Sequence, residues 1–396
     1  MRLAPTVGGS AASIPTADGW RRIELNSPRE WVKHPEPFSS RVAFAAAHVV
    51  ADPHSDTAPG APAVIDWETT LAFRRHLFEY GFGVAEAMDT AQRNMGLDWA
   101  ATRQLISRSA AQAAELGARI ASGAGTDHLP DAAGPAVTLD EIEAAYLEQV
   151  AFVESTGSQV IVMASRHLAR AAHGPDDYLD VYSRLLGQVS RPVVLHWLGG
   201  AFDTRLAGYW GSSEVDAATE TFLTLVREHA DAIDGVKVSL LSSEHEIGLR
   251  RALPTGVRLY TGDDFNYPEL IRGDEHGHSD ALLGAFAAIA PAASAALAAL
   301  DEDDLFRYDA EMAPTLELSR HIFEAPTFYY KVGVAFSAWL TGAQSGFQMV
   351  GGLQSARSLA HLARVFELLN DARLLPDPEL ARHRMALLCE TLGATR

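Results

Sequence analysis

Short runs of apolar residues alternate with longer stretches in which apolar positions recur every three or four residues. The short runs are RVAFAAAHVVAD (41–52), EYGFGVAEAMD (79–89), ARIASGAGTD (118–127), SQVIVMAS (158–165), RPVVLHWLG (191–199), DGVKVSLLS (234–242) and GVRLYTGDD (256–264). Their apolar residues are consecutive rather than alternating, which predicts strands buried on both faces. Helical patterns lie between them. WETTLAFRRHLFEYG is one, and DWAATRQLISRSAAQAAEL (98–116) is another, with Asp98 as a candidate N-cap. TLDEIEAAYLEQVAFVEST carries Thr138 followed by Glu141, the spacing of a capping box, and repeats Ile142, Tyr146, Val150 and Val153 at helical spacing. Past residue 281 helical patterns dominate, including ALLGAFAAIA, FYYKVGVAFSAWLTG and ARSLAHLARVFELLND.

Apolar strands separated by helices predict a parallel sheet covered on its faces. The strand count and the 396-residue length fit an α/β fold of the (β/α)8 barrel type with a C-terminal helical extension. The eighth strand is expected near His278–Leu283. The expected organisation is an N-terminal extension over 1–40, a barrel over 41–300, and a helical segment over 301–396 packed on the barrel. An open doubly wound sheet is the alternative. It calls for an early glycine fingerprint, and Gly123-Ala-Gly125 lacks the third glycine.

Composition narrows the partners. A formal net charge of -19 disfavours nucleic acid and anionic membranes. The apolar stretch 281–300 is alanine-rich and interrupted by Pro291, so a buried helix is expected there rather than a membrane span. The single cysteine, Cys389, rules out an intrachain disulfide or a thiolate cluster. A reducing, cytoplasmic location is expected, and the N-terminus does not read as a secretory signal. The glycine-rich stretches GGSAAS and GAQSG lack a P-loop lysine, and no cofactor is expected.

In such a barrel the carboxyl ends of the strands carry chemistry. The residues there include His48, Glu86, Asp89, Ser122, Thr126, Asp127, His167, His196, Lys237, Ser239, Asp263, Asp264 and His278. Lys237 stands apart because it lies inside an apolar run. The chain has only three lysines, Lys33, Lys237 and Lys331; arginine supplies the remainder of its 32 basic residues. An apolar setting disfavours an ammonium, and the free amine can attack a carbonyl to form an imine. Arginine cannot, because it stays protonated. Lys331, in FYYKVG, reads instead as an amphipathic helix residue. His196 is a candidate for proton transfer. The backbone of Ser122–Gly125, including Gly123, is a candidate oxygen-binding segment. Glu86 and Asp263 are candidates for hydroxyl binding or a second proton transfer, and Asp264 and His278 for substrate binding. The 15 histidines keep a rival open, in which His48, Glu86, Asp127, His167, His196 and His278 supply metal ligands for an isomerase or hydrolase. A non-catalytic sugar-binding barrel is a third reading.

The order of these segments resembles the dihydrodipicolinate synthase and N-acetylneuraminate lyase superfamily of class I aldolases, and within it a divergent branch, over about residues 41–340. IASGAGT (120–126) is similar to the third-strand IAGTG motif, and PVVLHW (192–197) to the fifth-strand PVILYN motif. DGVKVS (234–239) is similar to the Schiff-base segment, and LYTGDD (259–264) to the seventh-strand SGDD pattern. The resemblance implies that Lys237 forms the imine, that no cofactor is needed, and that the protein is a homo-oligomer. The sequence departs from the family where GFGVAEAMD replaces two adjacent threonines, where His196 stands at the relay tyrosine, and where SRHLA (165–169) replaces a tyrosine pair. A small 2-oxo acid and a keto-sugar-like compound are therefore both expected substrate classes, for a lyase or aldolase reaction.

Overall fold

The computed structural model describes residues 11–130, 134 and 137–394. Eight strands close a parallel barrel: β3 (Ala43–Ala46), β4 (Gly83–Glu86), β5 (Ile120–Ala124), β6 (Gln159–Val162), β7 (Val193–Leu198), β8 (Ile233–Ser239), β9 (Arg258–Thr261) and β10 (Asp280–Leu283), with β10 pairing back onto β3. The eighth strand falls where the sequence placed it. Ahead of the barrel, β1 (Ala11–Thr16) and β2 (Gly19–Glu24) form an antiparallel hairpin. It packs on the C-terminal helix Leu359–Asp371, where Arg21 pairs with Glu367.

Side chains alternate between the barrel lumen and the surrounding helices. Phe44, Ala85, Ala121, Ile161, Met163, Val194, Tyr260 and Leu282 form the luminal cluster. Val84, Val160, Val162, Leu195, Val236 and Val238 belong to the layer beneath the helices. Lys237, between Val236 and Val238, therefore points inward. The helix starts follow the sequence: Asp98 accepts from the Ala101 N–H, and Thr138 and Glu141 form the reciprocal capping box. The apolar stretch after β10 becomes the buried helix Phe286–Asp301. Among the described residues no helix is long and apolar enough to cross a membrane. Helices Leu305–Ile322, Tyr330–Leu340, Leu359–Asp371 and Pro378–Thr391 complete the C-terminal extension.

Candidate active site

Lys237 and His196 are direct neighbours across β8 and β7. Both are buried, Lys237 with 5% of its surface exposed. Among the described residues no carboxylate forms an ion pair with Lys237. Space for its stem depends on Gly262: a Cβ there would stand 2.8 Å from Lys237 Cε and 2.2 Å from Ser239 Oγ. Burial lowers the Lys237 amine below its ordinary value, against the opposing pull of Asp89 and Asp264. Burial and the Lys237 charge likewise hold His196 far below the usual histidine range, so its imidazole is neutral near pH 7. His196 Nε2 lies 3.3 Å from Ser239 Oγ, and its Nδ1 has no partner.

Two carboxylates face this pair. The loop after β4 turns sharply, with positive φ at Ala87 (52°), Gln92 (67°) and Asn94 (61°), and presents Asp89. Burial pushes the Asp89 carboxyl upward, but Lys331, Lys237 and His196 outweigh it and keep it below its ordinary value. Asp89 Oδ2 accepts a 2.7 Å hydrogen bond from the Tyr330 hydroxyl. Asp264 follows β9; its Oδ1 accepts the Ala285 N–H at 2.9 Å, and burial raises it far above the carboxylate range. Asp89 and Lys237 thus favour charge and neutrality respectively, and Asp264 favours holding a proton.

Lys331 corrects the sequence reading. The helix Tyr330–Leu340 is buried on nearly all sides, and Lys331 is 1% exposed rather than on an amphipathic surface. Its Nζ lies 3.8 Å from Asp89 Oδ2 and donates to the Phe328 carbonyl at 2.9 Å. Burial lowers it to about 8. The signal available in sequence was lysine scarcity: two of the chain's three lysines meet at one carboxylate.

A small inner cavity of about 20 Å³ is lined by Asp89, Arg93, Arg166, His196 and Lys331 among others. Outside it lies a cleft of about 1020 Å³. Asn94, Arg166, Phe202, Asp203 and Phe328 line both. Arg166 bridges the mouth, pairing with Asp203 at 2.5 Å and donating to the Asn94 carbonyl at 3.2 Å.

Other candidates from the sequence stand elsewhere. Glu86 follows luminal Ala85 and therefore faces the helices, where Arg74 grips both its oxygens at 2.8 and 2.9 Å. Ser122 shares that outward layer, paired in register with Glu86, and its hydroxyl has no partner. Gly123 is luminal but packed against Met163 and Met88, and the Gly125 N–H already donates to Gln149 at 2.7 Å. Asp263 ties its own turn, accepting from the N–H groups of Phe265 and Asn266. His278 is exposed ahead of β10, at the amino end of the barrel, opposite Lys237. The metal-ligand candidates do not converge: His48 bonds Gln344, Asp127 bonds Arg93, and His167 bonds Thr126 and Pro130. The one group close enough to hold a metal among the described residues is His321, Glu324 and His361, outside the barrel.

Solved structures share this architecture. Dihydrodipicolinate synthase from Aquifex aeolicus is 13% identical, with 85% of this chain and 99% of that one covered and a TM-score of 0.63. The Thermotoga maritima synthase is also 13% identical, covering 86% and 100%, with a TM-score of 0.62. YagE, a prophage protein of the dihydrodipicolinic acid synthase family from E. coli K12 solved with pyruvate, is 15% identical, covering 89% and 99%, with a TM-score of 0.59. At these identities the likeness is one of fold, and it is the fold that the sequence resemblance implied. No curated protein matches the sequence. A family model described as "Protein of unknown function (DUF993)" matches residues 12–394, nearly the whole chain, and the chain belongs to that family.

Proposed function

We propose that the protein is an imine-forming lyase or aldolase acting on a small 2-oxo acid or keto-sugar-like substrate through Lys237. The observation that carries this reading is a buried lysine without an ion pair on a barrel strand, its stem seated over Gly262, beside a neutral histidine and two carboxylates. The Lys237 amine adds to the substrate carbonyl, and the carbinolamine loses water to give a protonated imine. Cleavage of the bond between the α and β carbons sends its electron pair into that iminium, while the β-hydroxyl gives its proton to His196 and leaves as a carbonyl. The enamine left behind takes a proton at carbon, and water then hydrolyses the imine to release product and amine. His196 accepts and returns protons, and protonated Asp264 donates one to the oxygen departing as water. Asp89, held anionic, balances the iminium charge. Lys331 and Arg166 offer positive charge to a substrate carboxylate at the mouth. The shut inner cavity requires the Arg166–Asp203 bridge to part for entry.

The fold likeness to dihydrodipicolinate synthases supports the reaction class, and the cationic Arg166 and Lys331 lining the inner cavity support an anionic substrate. A small-molecule substrate, without nucleic acid or membrane as partner, agrees with the acidic chain. Self-association into a homo-oligomer is a further part of the proposal, read by light scattering. The reaction is tested by borohydride trapping against a panel of 2-oxo acids and keto sugars, with mass spectrometry of the labelled peptide. The expected adduct lies on the peptide holding Lys237 and vanishes in Lys237→Met. An adduct on Lys331 in its place, or none across the panel, sinks the proposal.

A further inference from the structure

Behind one wall of the cleft, three side chains converge that the imine chemistry does not use. His321 lies in the last turn of the helix Leu305–Ile322, Glu324 follows three residues on, and His361 lies in the first turn of Leu359–Asp371. One ligand-capable atom of each lies within 4.8 Å of the others. The two imidazoles stack with centroids 4.2 Å apart. His361 is 6% exposed and Glu324 48%, so the group is anchored in protein on one side and open to water on the other.

Hydrogen-bond accounting leaves two places unfilled: His361 Nε2 is buried without a partner, and the His321–Glu324 contact lacks a settled donor. His321 Nε2 lies 3.0 Å from the backbone carbonyl of His361. A carbonyl only accepts, so Nε2 carries the hydrogen and a neutral ring presents a lone pair at Nδ1. That Nδ1 faces Glu324 Oε2, another acceptor, at 3.3 Å. Either a second proton on the ring or a metal cation between the two atoms reconciles them. The other Glu324 oxygen lies 2.8 Å from His361 Nδ1. A histidine that gives its second ring N–H to a carbonyl is the usual support of a metal ligand, since the bond fixes tautomer and orientation.

We infer that His321 Nδ1, His361 Nδ1 and the Glu324 carboxylate form a binding site for a divalent transition-metal ion, with Zn²⁺ the best match to two imidazoles and one carboxylate. Water completes the coordination on the open side. Arg357 donates to the carbonyls of Glu324 and Pro326 at 2.7 and 3.2 Å, and its charge keeps the affinity below that of a four-ligand structural site. The metal ties the end of one helix to the start of another. Between them runs the segment 325–329, which lines the cleft, so occupancy stiffens the cleft wall. The site stands or falls independently of the imine reaction.

The test is calorimetric titration of chelator-treated full-length protein with zinc chloride alone, with metal analysis after gel filtration. One equivalent is expected to remain bound and to raise the melting temperature. His321→Gln and Glu324→Gln, both at partly exposed positions, are expected to weaken binding at least tenfold and to lose that rise; His361→Gln should do the same if it folds. His383→Gln, on an exposed position of the last helix, should bind as the parent does. Failure to retain zinc above a buffer control, or binding unchanged in His321→Gln and Glu324→Gln, overturns the assignment.

Discussion

Behind β4, between barrel wall and helix, Glu86 and Arg74 meet in two parallel hydrogen bonds with both side chains fully buried. Inside the same wall, Lys237 is also buried but has no fitted partner, and Lys331 stands 3.8 Å from the one carboxylate both lysines face. The two layers bury charge under opposite rules. Outside, polar groups are matched in geometry: Arg74 pairs with Glu86, and Glu246, kept protonated by burial, is hydrogen-bonded to Thr261 and Ser279. Inside, among the described residues, Lys237 has no ion pair and Lys331 has only the distant Asp89. A matched charge holds a fold together. An unmatched one costs stability and leaves a reactive group available.

The largest effect expected from breaking this contrast is at Lys237. Lys237→Met should lose turnover by about 10³-fold or more, because the nucleophile is gone. The same variant should gain roughly 1–3 kcal/mol in urea unfolding, since a buried amine is replaced by an apolar chain of similar length. A loss of stability instead would mean that the lumen is structural. Next comes Glu86→Ala, which strands Arg74 in the outer layer and should cost about 3–5 kcal/mol. Its folded fraction should still trap substrate on Lys237; loss of trapping in well-folded protein would return Glu86 to the chemistry.

Glu246 sharpens the comparison through pH. Burial raises its carboxyl from 4.5 to about 8. Between those values the folded state keeps a proton that the unfolded chain releases, so its contribution is full below 4.5 and is lost as pH rises through 8. Urea unfolding at pH 5 and pH 8 should differ by roughly 3 kcal/mol from this group, with the protein weaker at pH 8. Glu246→Gln, which imitates the protonated carboxyl, should flatten that slope. The smallest effect belongs to His278→Ala at the far end of the barrel: stability within about 0.5 kcal/mol of the parent and trapping unchanged.

Much of this was legible along the chain. Consecutive apolar runs announced strands covered on both faces, and Thr138 with Glu141 marked a helix start that the structure repeats atom for atom. Lys237 was conspicuous because lysine is scarce and valines flank it. Glu86 was not decipherable in the same way. GVAE is buried at every position, so nothing in the pattern says which residues face the lumen. Only the pairing register, which sets Ala85 inward, turns Glu86 outward to Arg74. Lys331 failed for a related reason: a helix covered on all sides has no polar face to betray it, and a buried lysine there reads as a surface one.

The sequence by itself determined the architecture, because strand and helix periodicity, caps and chain length are local properties that add up along the chain. It also determined which reactive side chain was available, since an arginine-rich chain that keeps a lysine in a strand narrows the chemistry. The tertiary structure alone decided the company of that lysine. Asp89 comes from a loop 148 positions before Lys237, and Lys331 and Tyr330 from a helix beyond the barrel. Their meeting depends on barrel closure and on how the last helices dock. Electrostatic coupling falls off with distance through space rather than along the chain, so the charges that set the Lys237 environment were readable only once the chain had folded.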